Sequence, residues 1–108
     1  MGRREGPVEN RLVTQAKAAG GLCWKFAPTT SGIPDRILIL GGHIVFVETK
    51  APGQSVRRLQ QVRHTALRRR GMDVRVVDTI DDADALIAEI AAREPISSVA
   101  PTPSTEEP

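Results

Sequence analysis

The chain has 108 residues, of which 40% are hydrophobic and 26% are charged, the size and composition of one ordinary globular domain. No apolar run approaches the roughly 18 residues that a transmembrane helix needs, and the charged start of the chain lacks the apolar stretch of a signal peptide. The single cysteine, Cys23, excludes an internal disulfide and favours a reducing, cytoplasmic location.

The charges are unevenly distributed along the chain. Up to Thr79, fourteen Lys and Arg residues stand against six acids, a net charge of +8. From Ile80 onward, Arg93 alone stands against seven acids, a net charge of −6. A basic body of this size suggests a polyanionic partner, with nucleic acid as the first candidate.

Apolar periodicity and the positions of proline and glycine predict seven elements, followed by a tail. In chain order these are a helix from Pro7 to Gly20, strands over Leu22–Phe26, Asp35–Leu40 and His43–Lys50, a helix over Val56–Arg70, a strand over Val74–Val77, and a helix capped by Thr79. This α-β-β-β-α-β-α order predicts an α/β fold with a small mixed β-sheet flanked by helices. Residues 1–93 would form the domain, and the Pro, Ser, Thr and Glu of residues 94–108 predict a flexible tail.

The segment from Asp35 to Lys50 carries the most informative local pattern. A Gly-Gly pair between two β-branched runs is typical of a two-residue hairpin turn, which fixes the register of the strands. This register places Ile39 opposite Ile44 and Asp35 opposite Glu48, with Cβ atoms about 4.5–5.5 Å apart. Both faces of the hairpin are largely apolar, so we expect both to be covered.

Two carboxylates that face each other beside an apolar surface repel and need compensation. Lys50, on the same face as Glu48, would neutralise one of them in an ion-pair cluster of purely structural role. A divalent cation would instead bridge both carboxylates, and the hairpin geometry favours neither alternative. Glu9 lies on the stripe that the first helix is expected to bury, and a third carboxylate near Asp35 favours a hard-cation site.

These residues match a known pattern in order and spacing. Gly32-Ile33-Pro34-Asp35, followed after twelve residues by Glu48-Thr49-Lys50, resembles the signature of the PD-(D/E)xK nucleases. An N-terminal helical Glu9 and a downstream Gln60 make the chain similar to the VRR-NUC branch, here in the stand-alone form of phages and bacteria. The resemblance runs from about Pro7 to Val77, and it implies a restriction-endonuclease-like core.

The resemblance also implies roles for individual residues. Asp35 and Glu48 would bind a metal ion, Mg²⁺ with Mn²⁺ as a substitute, together with the backbone carbonyl of Thr49. Glu9 would bind the same metal directly or through a water. Lys50 would orient or help deprotonate the attacking water and offset the charge of the phosphate. A cation held in this way polarises oxygen and lowers the pKa of its bound water, so no nucleophilic side chain is needed.

Three further positions are expected to take part in the site. Gln60 would support Lys50 and the water, with Gln61 as a rival for this role, although the spacing to the following His and Leu favours Gln60. Lys25, on the strand before the turn, is expected to face the site or to be a solvated strand lysine. Trp24 belongs to a chain with few aromatic residues, so we expect it in the core.

The helix over Val56–Arg70 is expected to carry the nucleic-acid surface. Steps of 100° per residue place an apolar stripe on its inner face, with Gln60 at the edge of the stripe. The stripe comprises Val56, Leu59, Val62, Ala66 and Leu67. Arg57, His64 and Arg68 lie just beyond it, where a helix would contact both the site and a phosphate backbone.

The leading functional hypothesis is a Mg²⁺-dependent DNA endonuclease, and the resemblance suggests branched or Holliday-junction DNA as its substrate. One domain has one active site and cuts one strand, so cutting two strands suggests a homodimer. The resemblance suggests the cytoplasm of a bacterial or phage-infected cell, without a membrane partner. The competing hypotheses are a non-catalytic nucleic-acid-binding module and an ion-pair cluster in a protein of unrelated function.

Overall fold

The computed structural model describes residues 6–26 and 30–96, which form three helices and four strands. Their order, α-β-β-β-α-β-α, confirms the predicted α/β class and sequence of elements. The elements are α1 (Pro7–Ala18), β1 (Leu22–Lys25), β2 (Arg36–Leu40), β3 (His43–Thr49), α2 (Arg58–Arg69), β4 (Asp73–Val77) and α3 (Ile80–Ala91). None of these helices, each of 12 residues, has the length and hydropathy needed to span a bilayer.

The four strands form one mixed sheet in the spatial order β1-β2-β3-β4. Strands β1, β2 and β3 are antiparallel neighbours, whereas β4 runs parallel to β3. Because a tight turn cannot connect parallel strands, the chain crosses from β3 to β4 through α2. The crossover returns the start of α2 to the end of β3, where Gln60 contacts Glu48.

The turn between β2 and β3 sets the register of the hairpin. Gly41 and Gly42 have φ angles of +61° and +84°, the left-handed backbone that a two-residue hairpin turn requires and that glycine adopts without strain. Ile39 therefore pairs with Ile44, and the whole observed hairpin register agrees with the predicted one.

The main core lies between one face of the sheet and the helices α1 and α3. It comprises Val8, Leu12, Ala16, Cys23, Leu38, Leu40, Val45, Val47, Val77, Ala83, Leu86, Ile87 and Ile90. Burial raises the pKa of the Cys23 thiol to about 11. This cysteine is therefore a small buried hydrophobe at neutral pH and carries no reactive thiolate.

The opposite face of the sheet is only partly covered. Helix α2 packs on β4, and Val74 and His64 are buried on that side. Ile44 and Trp24 are each 56% exposed, so the expectations that both hairpin faces are covered and that Trp24 belongs to the core are wrong. A helix about 10 Å across covers about two strands spaced about 4.8 Å apart, which leaves β1 and the turn end of the hairpin open.

The acidic helix α3 has structural uses for its charges. The Thr79 hydroxyl accepts a hydrogen bond at 2.9 Å from the backbone N–H of the third helical residue, which confirms the predicted cap. Asp84 pairs with Arg11 of α1 at 2.7 Å, and Glu89 pairs with Arg75 of β4 at 2.6 Å. The acidic part of the sequence is thus tied to the arginines of neighbouring elements.

The chain stays attached to the domain past the predicted boundary at residue 93. The backbone N–H of Ile96 donates to the Gly41 carbonyl at 2.8 Å, and the His43 ring donates to the Glu94 carbonyl at 2.9 Å. Residues 94–96, which the sequence assigns to the tail, therefore close over the hairpin turn. The rest of the predicted tail, 97–108, lies outside the described residues.

Candidate active site

The open end of the hairpin holds the two carboxylates that the register places opposite each other. Asp35 directly precedes β2, and its carbonyl accepts a hydrogen bond from the Phe26 N–H at 2.8 Å, so the pairing of β1 with this segment continues past the strand. Glu48 is the penultimate residue of β3. The pairing of Arg36 with Val47 brings Asp35 opposite Glu48, and the negative charge of Asp35 contributes, after burial, to the raised pKa of the Glu48 carboxyl.

Thr49 holds the Asp35 carboxylate through two groups. Its backbone N–H donates to Asp35 Oδ1 at 3.1 Å, and its hydroxyl donates to Asp35 Oδ2 at 3.1 Å. The family resemblance implies a role only for the backbone carbonyl of Thr49, and the contact of its hydroxyl with Asp35 was not predicted. The one feature of the sequence that indicates this contact is a hydroxyl residue between the acid and the lysine of the Glu-x-Lys strand.

Glu48 is buried, with 5% of its surface exposed. Its pKa is raised, first by burial and then by the charge of Asp35, while Lys50 and Gln60 oppose the shift. Oxygen Oε2 accepts a hydrogen bond from Gln60 Nε2 at 3.0 Å and lies 3.6 Å from Lys50 Nζ. Oxygen Oε1 is buried and has no hydrogen-bond partner among residues 6–26 and 30–96, a costly state for a carboxylate.

The amide of Gln60 has a fixed orientation because both of its ends are bonded. Its oxygen accepts the N–H of Arg57 at 2.9 Å, which leaves the amide nitrogen to donate to Glu48. Gln61 donates instead to the Val56 carbonyl. The structure therefore places Gln60, and not its neighbour, against the candidate metal ligand.

Glu9 is largely buried, as expected, and forms an ion pair that the sequence did not predict. Its carboxylate oxygen Oε2 lies 2.8 Å from Arg36 Nε and 3.8 Å from Lys25 Nζ. Arg36 is 7% exposed. Its position between Asp35 and the apolar run of β2 is the feature of the sequence that indicates a buried arginine in need of an acidic partner. Within the described parts of the chain, no three His, Cys, Asp or Glu side chains meet as metal ligands would, so the structure does not bring Glu9 together with Asp35 and Glu48 as a ready-made triad.

Helix α2 is rotated relative to the predicted apolar stripe. Leu59 and Val62 are 44% and 49% exposed, whereas His64 is 2% exposed. Gln60 and His64, one turn apart, face the sheet instead. The predicted inner stripe is wrong at Leu59 and Val62, because the contact between Gln60 and the buried Glu48 turns another side of α2 towards the sheet.

The burial of His64 overturns its expected contact with a phosphate backbone. Its ring has no surface to offer, and its Nε2 has no hydrogen-bond partner within the described chain. Burial, followed by the positive charges of Arg68 and Lys50, lowers the pKa of the imidazole. His64 is therefore neutral at pH 7 and supports α2 beneath the site.

The remaining predicted contacts with nucleic acid lie on the surface. Arg57 is exposed at the start of α2 and Lys25 is exposed on β1. Arg68 is also exposed, but its guanidinium donates to the Val74 carbonyl at 2.7 and 3.3 Å, so it helps to hold α2 on β4. From Arg57 to Arg70 the chain has six arginines and no acid, which makes this side of the sheet strongly basic.

The donors at the open end of the hairpin suit a hard cation. Asp35 and Glu48 supply carboxylate oxygens, the ligands that Mg²⁺ prefers, and a cation placed there would satisfy Glu48 Oε1, which has no hydrogen-bond partner within the described residues. A cleft of about 390 Å³ opens beside the following residues, Thr49 and Lys50, and Glu9 also lines it.

Replacing Glu48 by Gln tests the energetic cost of this carboxylate. Because its folded-state pKa is raised, the folded protein binds this proton more tightly than the unfolded chain, so ionisation of Glu48 destabilises the fold as pH rises above about 4.5. In chelator at pH 7, Glu48→Gln should therefore melt at a higher temperature than wild type. The difference should disappear as pH falls below about 4.5, since both side chains are then neutral.

Glu89→Gln is the matched control, because Glu89 has its pKa lowered to about 2 by Arg75. At pH 7 this variant should melt at a lower temperature than wild type, whereas Glu48→Gln should melt at a higher one. If Glu48→Gln also melts below wild type at pH 7 in chelator, the attraction between Glu48 and Lys50 outweighs burial, and the group is a structural ion pair.

Replacing Thr49 by Val removes its hydroxyl while it preserves the side-chain shape. One of the two groups that hold Asp35 is lost, so the variant should bind the metal less tightly. Because a bound ligand stabilises the folded state, the same concentration of Mn²⁺ or Mg²⁺ should raise the melting temperature of the variant less than that of wild type. Thr49→Ser keeps the hydroxyl and should respond as wild type does. Equal responses of all three proteins would show that the hydroxyl does not position Asp35.

Comparison with known proteins finds similar chains. No protein-family model matches the chain. A curated protein named "Putative nuclease p44", from Acyrthosiphon pisum secondary endosymbiont phage 1, is 40% identical over 80 residues, which are 72% of this chain and 86% of that protein. A solved structure described as a VRR_NUC domain matches with a TM-score of 0.72 and 36% identity over 78% of this chain and 94% of its own.

The identity and coverage of these matches exceed what a shared fold alone would give. The matched length includes most of the folded chain, and the elements that carry Asp35, Glu48, Lys50 and Gln60 follow in the order that the VRR-NUC signature requires. The chain belongs to the VRR-NUC nuclease family.

Proposed function

We propose that the protein is a metal-dependent nuclease that hydrolyses the phosphodiester bonds of DNA. The observation that carries this proposal is the buried Glu48 carboxylate, which faces Asp35 and has one oxygen without a partner in the described chain. An ion-pair cluster of structural role would use both oxygens on protein donors. The phage relative, whose name describes a nuclease, supports the same function.

Asp35, Glu48 and the backbone carbonyl of Thr49 are the proposed metal ligands, with Mg²⁺ or Mn²⁺ as the ion. When bound, the ion supplies charge neutralisation at the phosphate and acidifies the water that attacks it. Glu9 would join the metal environment after exchanging part of its contact with Arg36. Without that exchange, Glu9 holds the buried guanidinium of Arg36.

Lys50 is the proposed group that orients the attacking water and faces the phosphate. Its side chain is mostly buried, and its ammonium is 3.6 Å from Glu48 Oε2, so the charge is held at the site. Gln60 restricts the Glu48 carboxylate to one orientation through the 3.0 Å hydrogen bond. Together these contacts keep the water-orienting charge and the metal-binding oxygens in one arrangement before substrate arrives.

The proposed substrate is DNA, held by the basic side of the sheet. Arg57 at the N-cap of α2 and the exposed arginines of α2 would contact phosphates. Lys25 would contact them from the edge strand β1, on the side where its ammonium is 3.8 Å from Glu9 Oε2. Following the resemblance to stand-alone VRR-NUC proteins, we propose branched DNA, including Holliday junctions, as the preferred form. A homodimer would supply the two sites that cleavage of two strands needs.

Lys50 provides the direct test of catalysis. Wild type should cleave DNA with Mg²⁺ or Mn²⁺ and should not cleave it with chelator. Lys50→Ala should cleave more slowly by about a hundredfold or more, because a general acid–base group contributes about 10²–10⁴-fold to the rate. The variant should keep the metal-induced rise in melting temperature. Lys50→Arg should rescue little, since the guanidinium differs in shape and stays protonated. The assay uses linear, flapped and four-way-junction DNA.

Glu89→Gln, on the far side of the sheet, is the control and should cleave as wild type does. Absence of cleavage of every DNA form by wild type with either metal would overturn the proposed function. Full cleavage by Lys50→Ala would leave a nuclease and remove the role given to the lysine.

The salt dependence of DNA binding tests the proposed surface. Arg57→Ala combined with Arg69→Ala removes two exposed arginines of α2 and avoids Arg68, whose guanidinium holds Val74. Two lost phosphate contacts should lower the slope of log affinity against log salt by about 1.8. Binding is measured by anisotropy of labelled duplex in chelator at several salt concentrations.

The matched control is Arg11→Ala with Arg93→Ala, which makes the same change in net charge among residues paired with α3 and β4 acids. This control should change the slope by less than about 0.5, which is about half of the change expected for one phosphate contact. An unchanged slope in the Arg57 and Arg69 variant, or an equal loss in both double variants, would show that α2 is not the surface that binds DNA.

A further inference from the structure

The sheet face that α2 leaves open carries a strip of exposed apolar side chains. Leu22 and Trp24 of β1 are 45% and 56% exposed, and Ile44 of β3 is 56% exposed. Pairing of Leu22 with Ile39 and of Ile39 with Ile44 makes the strip continuous across three strands. A contiguous apolar strip on the surface usually marks a binding site.

Trp24 lies on the same face of the sheet as the candidate catalytic carboxylates. It pairs with Ile37, and Ile37 is two residues from Asp35, so all three side chains point to one side. Two residues along a strand and one strand across separate the Trp24 and Asp35 Cα atoms by about 8 Å. The indole is thus within about one nucleotide of a phosphate bound at Asp35.

Positive charge lies near Trp24 on two sides. Lys17 and Trp24 line a common groove of about 200 Å³ at the sheet edge, and helix α2, with the arginine-rich segment from Arg57 to Arg70, covers the other half of the same sheet face. Lys25, the next residue of β1, points to the opposite face, where its ammonium lies 3.8 Å from Glu9 Oε2. An exposed aromatic ring near cations matches the way proteins hold unpaired nucleotides, with phosphates on the charges and a base on the ring.

From this arrangement we infer that Trp24 forms a stacking subsite for an unpaired base next to the phosphate that is cut. The inference rests on the proposed function, which places DNA at Asp35 and Glu48, and it adds a basis for choosing among DNA forms. In an intact duplex the base faces are stacked on each other, so Trp24 can stack only where a flap, junction or end exposes a base. DNA with an unpaired nucleotide at the site therefore binds more tightly than a closed duplex.

A second copy of the chain is the competing occupant of the strip. A dimer through Leu22, Trp24 and Ile44 would cover part of the sheet face on which Asp35 lies and would restrict the approach of DNA to it. The cations near Trp24, which are Lys17 and the arginines of α2, would also be brought towards the same groups of the second copy. Nucleic acid fits both the charge and the position of the strip, so it is the occupant we infer.

The experiment uses the intrinsic fluorescence of the protein. Trp24 is the one tryptophan among the 108 residues, and there is no tyrosine, so the emission reports this side chain alone. The full chain is titrated in chelator with flapped DNA and with a hairpin-closed duplex of the same base-paired sequence. Flapped DNA should quench the tryptophan emission at concentrations at which the closed duplex does not quench most of it.

Two variants separate stacking from general apolar contact, with binding followed by anisotropy of labelled DNA. Trp24→Leu keeps an apolar side chain and should lower the preference for flapped over closed DNA about tenfold, since a base stacked on an aromatic residue contributes about that much. Trp24→Phe should restore part of the preference. Ile44→Ala, an equally exposed position farther from Asp35, should leave the preference unchanged.

The outcomes distinguish this inference from the proposed function. Equal quenching by both DNA forms, no quenching, or an unchanged preference in Trp24→Leu would overturn the subsite. Emission that shifts with protein concentration before DNA is added, together with weaker self-association of Ile44→Ala, would assign the strip to a second copy and overturn it too. Wild type that cleaves flapped DNA without any change in emission would overturn the subsite alone, whereas selective quenching without cleavage under Mg²⁺ or Mn²⁺ would support the subsite and overturn the nuclease.

Discussion

Burial of the Glu48 carboxylate is the constraint on which the site depends. Removing an ionised carboxylate from water costs several kcal/mol even after the protein relaxes, and the raised pKa of this group shows that its protein partners do not offset the whole cost. Gln60 and Lys50 both act on one oxygen, Oε2. The other oxygen has no hydrogen-bond partner within the described chain. The proposed hard cation, shared with Asp35, would supply a partner and would also reduce the repulsion between the two acids.

The same constraint explains the orientation of α2 and the shape of the molecule around it. An inward Gln60 and His64 require Leu59 and Val62 to face outward, so the polar contact to Glu48 outweighs the burial of two aliphatic side chains. The acidic helix α3 lies on the opposite side of the sheet, where Arg11 pairs with Asp84 and Arg75 with Glu89. The arginine-rich α2 lies on the face that carries the candidate site.

Local signals predicted the parts of this structure that depend on local geometry. Glycine pairs, β-branched runs and the Thr79 cap determine the element order, the hairpin register and the opposition of Asp35 and Glu48. The rotation of α2, the exposure of Trp24 and the Glu9–Arg36 ion pair depend on which elements pack together, and no periodicity within one segment carries that information. Trp24 shows the difference most clearly, because its burial was expected from its residue type, whereas its exposure follows from the width of the helix that covers the other half of the sheet.

The candidate site depends on the distant hairpin turn, because the turn sets the positions of the two carboxylates. Asp35 and Glu48 lie six residues from Gly41 and Gly42 respectively, and only the register set by the turn brings them together. A slip of one residue would move Glu48 to the opposite face of the sheet, among the buried aliphatic side chains, and would exchange its contacts with Gln60 and Lys50 for none. The segment 94–96 closes over this same turn, with Ile96 bonded to Gly41 and its atoms within 3 Å of where a Cβ on Gly42 would lie. The hairpin turn is therefore held by a backbone hydrogen bond and by the packing of Ile96 against it. Both contacts support the register that places Asp35 opposite Glu48.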